Sequence, residues 1–99
     1  MKVDARDNGE MVLILDEVFD FKKVDSFRKT YESIDSSAAK ILNINFCNTK
    51  YMDSSALGML LNVQSYFKDH NIKIKITNTN DQIKKILSIS RFDQRFTIE

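Results

Sequence analysis

The chain has 99 residues, 42% of them hydrophobic and 29% charged, with 15 basic residues against 14 acidic ones and a net charge of +1. This is the size and composition of one soluble globular domain spanning residues 1–99. It excludes the Lys/Arg excess of nucleic-acid binders and the roughly 18 to 20 consecutive apolar residues of a membrane span. With two glycines, no proline, one cysteine (Cys47) and one histidine (His70), it also excludes glycine-rich phosphate loops, an internal disulfide and a zinc site of Cys and His ligands.

Lys2 to Arg6 alternates in polarity, and Asp7-Asn8-Gly9 follows with residues that tolerate positive φ. The chain is therefore expected to open with a β-hairpin whose second strand is the apolar run Met11–Leu15. Asp20 is a good helix N-cap. Beyond it Val24, Phe27, Tyr31 and Ile34 recur at helical spacing, predicting a helix that ends near Asp35-Ser36-Ser37. Lys40 to Phe46 alternates and predicts a strand, and Ile72 to Thr77 predicts another with one buried face. Thr79, Asn80 or Asp81 is suited to cap a short helix carrying Ile83, Ile86 and Leu87. Phe92, Phe96 and Ile98 anchor a tail with room for one last short strand.

The order β-β-α-β-α-β-α requires parallel pairing after the antiparallel hairpin. The expected fold is α/β, a mixed sheet with three to four packed helices. The polar first ten residues lack a signal-peptide pattern and the lone cysteine fits a reducing compartment, so a cytoplasmic location is expected.

The informative stretch is Tyr51-Met52-Asp53-Ser54-Ser55-Ala56-Leu57-Gly58-Met59-Leu60-Leu61, which leads from the Lys40–Phe46 strand into a helix running to about Asp69. Asp53, Ser54 and Ser55 are all good N-cap residues, which places the hydroxyls at a helix N-terminus close to the surface. Advancing 100° per residue, the apolar residues from Ala56 to Phe67 cover roughly 220°, more than the stripe of about 100° that one sheet face needs. Either neighbouring helices cover the surplus, or its edge at Met59, Val63 and Tyr66 is a partner-binding surface. The serines likewise have two readings. They are plain caps, or one accepts a phosphate of roughly −1.5 to −2 charge, which a helix N-terminus accommodates through its free N–H groups and dipole.

At Met52-Asp53-Ser54-Ser55-Ala56-Leu57-Gly58 the chain resembles the phosphorylation-site motif of STAS domains of the anti-sigma-factor antagonist type. Ile41 to Phe46, Ile72 to Thr77 and Ile83 to Phe92 match that family's preceding strand, later strand and C-terminal helix, so the resemblance covers essentially the whole chain. It implies a STAS-type fold and a binding switch, not an enzyme, with no cofactor. In such a switch the domain with Ser54 unphosphorylated holds an anti-sigma factor, often a serine kinase with a histidine-kinase-like ATPase fold. Phosphorylation of Ser54, with Ser55 the runner-up, blocks that binding. A PP2C-type phosphatase, in some systems linked to a receiver domain, resets it. Asp53 would orient Ser54 or assist the kinase reaction, Ser55 would be a secondary contact, and Leu57, Gly58 and Met59 would line the docking surface. Two departures stand out: Ala56 where the family usually has glycine, and Asp16-Glu17-Val18-Phe19-Asp20 in place of a Gly-x-hydrophobic-Asp segment.

Three rivals are weighed against this reading. A serine hydrolase built on Asp53, Ser54 and His70 fails on distance, because 16 residues of helix separate the last two by about 24 Å. A receiver domain phosphorylated on Asp53 would open βαβ rather than with a hairpin. A STAS scaffold or sensor acting on a non-sigma partner keeps the fold and changes the role. Cys47, just past a strand, reads as a small buried or half-buried residue, and Lys73, Lys75, Lys84, Lys85 and Arg91 read as solvated strand and helix faces.

Overall fold

The computed structural model describes residues 1–99. The hairpin is present: β1 (Lys2–Ala5) pairs antiparallel with β2 (Glu10–Ile14), Val3 opposite Leu13. Gly9 turns the chain at φ +84°, and its carbonyl accepts the Lys40 N–H at 2.8 Å, tying the hairpin to the strand that follows in the sheet. That strand, β4 (Ile41–Asn45), lies parallel to β2, and β6 (Lys73–Thr77) lies parallel to β4. The last two-residue strand, β7 (Thr97–Ile98), joins the edge of β6, so the five-stranded sheet runs β1-β2-β4-β6-β7. Between β2 and β4 the short β3 (Val18–Phe19) pairs in parallel with β5 (Tyr51–Met52), forming a separate two-stranded ribbon.

Three helices complete the fold: α1 (Val24–Glu32), α2 (Ser55–Phe67) and α3 (Asp81–Ile89). Asp20 does act as a cap, but for a turn of 3₁₀ helix at Phe21–Lys23 that precedes α1. The helix α1 also stops earlier than its periodicity suggests. Ser33 turns its hydroxyl back onto the Thr30 carbonyl, and Asp35 gathers the Ser37 N–H and hydroxyl into a new turn, so Ile34 lies outside the helix. The α3 cap is Asn80, whose side chain accepts the Ile83 N–H at 2.8 Å.

One continuous core joins alternate strand residues, among them Leu13, Leu42, Ile44, Ile74 and Ile76, to Phe27, Leu60, Val63, Phe67, Ile83 and Leu87 from the three helices. The residues between them face the other side of the sheet. There the Asn43 side chain donates to Glu10 at 2.9 Å and accepts from Thr77 at 2.7 Å, while Lys75 reaches Glu10 and Glu99. The molecule is therefore a two-layer sandwich, helices on one face and a polar lattice on the other. Its accessible surface of 5880 Å² matches the roughly 5,800 Å² expected for this mass.

Candidate functional site

Because β4 and β6 are parallel, the connections leaving their carboxyl ends gather at one edge of the sheet, where sites form in α/β folds. Residues 46–54, the β3–β5 ribbon and the starts of α1, α2 and α3 all meet at this edge. Asn80 donates to the Lys50 carbonyl at 3.2 Å, and the Lys50 N–H donates to the Glu17 carbonyl at 2.8 Å, which fixes these connections to one another.

Asp53, Ser54 and Ser55 sit at the start of α2 and have three different tasks. A single oxygen of Asp53, Oδ1, accepts the Ser55 N–H at 3.0 Å, the Ala56 N–H at 3.3 Å and the Ser55 hydroxyl. The Ser55 hydroxyl, followed by these N–H groups and that of Phe21, holds the Asp53 carboxyl below its ordinary range, so it stays ionised. Ser55 is half-buried and its hydroxyl is engaged. Ser54, at the N-cap position (φ −66°, ψ −23°), is exposed, and its hydroxyl takes no part in the cap. Asp53 therefore caps the helix and does not bond to Ser54. Of the two hydroxyls, only that of Ser54 is free.

The other expected docking residues divide by burial. Leu57 is half-buried and packs on the core. Gly58 lies one turn beyond Ser54 on the same helical face and is exposed, with nothing within 4 Å of where a Cβ would stand. Met59, expected on the docking surface, is only 5% exposed, so it presents little of its side chain to a partner. It lines a void of about 30 Å³ with Val24, Phe27 and Tyr31, because α1 packs over this flank of α2. Val63 is fully buried, and Tyr66, still 43% exposed, leans on Tyr31 with ring centroids 5.2 Å apart. Neighbours thus cover most of the broad apolar arc of α2.

Exposed apolar side chains occur instead around Ser54. Val18 (37% exposed) is the register partner of Tyr51 (50%) in the ribbon. Phe21 (69%) follows the ribbon and turns its backbone N–H toward the Asp53 carboxylate. Sequence reasoning missed this rim, since two-residue strands carry no periodicity. The sequence signal that could have found it is the apolar Val18-Phe19 and Phe21 interrupting an acidic stretch. His70 lies beyond the far end of α2, so no imidazole reaches Ser54. Cys47, expected to be buried or half-buried, is exposed, because the chain leaves the sheet after Asn45 in a turn where the Asn45 side chain accepts the Cys47 N–H. No three His, Cys, Asp or Glu side chains converge to hold a metal ion, and no helix is long and apolar enough to cross a membrane.

Comparison with known proteins agrees with the architecture. The chain is 35% identical over 94 residues to a STAS-domain containing protein of Pseudomonas aeruginosa (strain UCBPP-PA14), covering 95% of this chain and 92% of that one. Two solved structures share the fold at low identity. One is a sulfate transporter family protein of Wolinella succinogenes (TM-score 0.78, 13% identity, 93% of this chain and 75% of the other). The other is the Bacillus cell fate determinant SpoIIAA in its phosphorylated form (TM-score 0.72, 18% identity, 99% and 89%), a protein also solved unphosphorylated as an anti-sigma factor antagonist. The STAS domain profile matches residues 2–99, and the chain belongs to the STAS domain family.

Proposed function

We propose that this domain is a phosphorylation-switched protein-binding module of the anti-sigma-factor-antagonist kind, acting in the cytoplasm, with Ser54 as its phosphoacceptor. The observation that carries the reading is the free, exposed hydroxyl of Ser54 beside a neighbouring serine whose hydroxyl is already bonded to Asp53. A phosphate there adds roughly −1.5 to −2 charge at a helix N-terminus, which tolerates it. The same charge lands among Val18, Phe21 and Tyr51, where a partner would have to desolvate it. The switch therefore acts on docking and leaves folding alone. The unphosphorylated face, made of Asp53, Ser54, Ser55, Leu57, Gly58 and this rim, would hold an anti-sigma factor or a serine kinase with a histidine-kinase-like ATPase fold. A PP2C-type phosphatase, in some systems linked to a receiver domain, would restore it.

The test is binding of the cognate kinase or anti-sigma factor to three proteins. Ser54→Ala should bind like the unphosphorylated chain and resist phosphorylation. Ser54→Asp should keep the wild-type circular dichroism spectrum and bind at least ~10-fold more weakly, the size expected for one uncompensated charge in an interface. Equal affinity of Ser54→Asp would contradict charge exclusion. The likeness to the sulfate transporter family protein favours a second reading, a STAS scaffold regulating some other partner, which predicts that Ser54→Asp keeps every partner the wild type captures.

A further inference from the structure

At the opposite end of α2 from Ser54, a groove of about 810 Å³ opens between the helix's last turns, the start of β6 and residues 93–97. Its apolar lining comes from Leu61, Phe67, Ile72, Ile74 and Phe96. Of these Phe67, Ile74 and Phe96 are buried, which gives the groove a fixed floor. One side is kept in place by Gln64, which donates to the Arg95 carbonyl at 2.7 Å. Lys68, Lys73 and Arg95 line it from three separate segments against one acid, Asp93. None of the three cations is engaged in an ion pair, as holds for most of the chain's basic side chains, so the groove keeps a local excess of positive charge. The end of β6 beside the groove also lacks a strand on its outer edge, because β7 pairs only with Lys75 and Ile76.

We propose that this groove docks a short acidic peptide segment of a protein partner, with apolar side chains on the floor and carboxylates against Lys68, Lys73 and Arg95. Charge complementarity selects an anion, and the shape selects a peptide. The groove is open along one side, so a small molecule would leave much of its surface wet where such sites usually enclose it, whereas a peptide can keep its backbone at the solvent side. Along α2 the lining begins at Leu61, about 10 Å past Ser54, and runs to Lys68, about 21 Å past it, so the groove is a second docking point.

The probe is an acetylated, amidated peptide of sequence Asp-Leu-Glu-Phe-Asp-Leu-Glu, titrated into the ¹⁵N-labelled chain. Saturable amide shifts should appear at residues 61–68, 72–74 and 93–97 and be absent around Ser54. A paired Lys68→Glu, Arg95→Glu variant alters only exposed side chains and should retain a dispersed spectrum while weakening binding by ~10-fold or more. The same peptide with lysine at each acidic position should not bind. Absence of saturation, shifts confined to the Ser54 end, or equal binding by the variant would overturn the proposal. So would saturable binding of decanoate in this groove without binding of the peptide, which would make the occupant a single-chain carboxylate.

Discussion

At the scale of residues, three adjacent side chains equally suited to capping are separated by the allocation of one carboxylate oxygen. Asp53 Oδ1 takes the Ser55 hydroxyl and two N–H groups, and Ser54 is left over. The sequence placed these residues at a helix start but could not apportion them, since Asp and Ser have similar N-cap preference. The resemblance pointed to Ser54, and the geometry supplies a physical reason. It also gives Asp53 a capping task in place of orienting Ser54. A carboxylate held below its ordinary pKa favours the folded state above its unfolded value near 3.9, and that contribution is lost as pH falls through its lower folded value. Asp53 thus stabilises fully at neutral pH and fails only in acid. Asp16, lowered chiefly by its bond from the terminal ammonium, and Asp35, lowered chiefly by the Ser37 hydroxyl, act in the same window. Asp53→Asn keeps an acceptor without the charge. Its Tm should fall less than that of the wild type between about pH 6 and pH 2, and parallel curves would show that the charge contributes nothing.

At the scale of elements, α2 was legible in its extent and opaque in its exposure. Hydrophobic periodicity reports that a side chain seeks cover, not which neighbour provides it. Met59 and Val63 found cover in the packing of the fold, which no local pattern encodes. The ribbon of β3 and β5 was invisible for the opposite reason, being too short to show a period, yet it presents Val18 and Tyr51 beside Ser54. Gly58 shows a tension between stability and the proposed docking role. It lies inside a helix with open space at its Cβ position, so Gly58→Ala should stabilise the domain by up to about 1 kcal/mol in urea unfolding. If a partner helix or loop approaches that bare turn closely, the same methyl should weaken binding. Raised stability with unchanged affinity would remove Gly58 from the docking surface.

At the scale of the molecule, the hairpin, the parallel strands and the three helices follow from the order of apolar runs, because each run of this chain has a clear period and polar boundaries. Less legible was how the tail would be used. Two residues, Thr97 and Ile98, extend the sheet, while Phe92 and Phe96 pack into the core with ring centroids 5.7 Å apart. Nor did the sequence mark the sheet face without helices as a connected lattice. Asn43 is buried there and bonds at once to Glu10 and Thr77, so Asn43→Ala leaves the Thr77 hydroxyl without its acceptor and Glu10 with Lys75 alone, and should cost about 1–3 kcal/mol in chemical denaturation. A loss below about 0.5 kcal/mol would show that water replaces the amide without penalty.

The claim at the centre of this account is that one hydroxyl, at the start of α2, is available for modification while its neighbour is not. Phosphosite mapping by mass spectrometry, after incubation of the chain with the serine kinase that the proposed switch requires, addresses it directly. A single phosphate on Ser54, absent from Ser54→Ala, is the expected result. Phosphate on Ser55 in the wild type, or an unchanged phosphate count in Ser54→Ala, would contradict it.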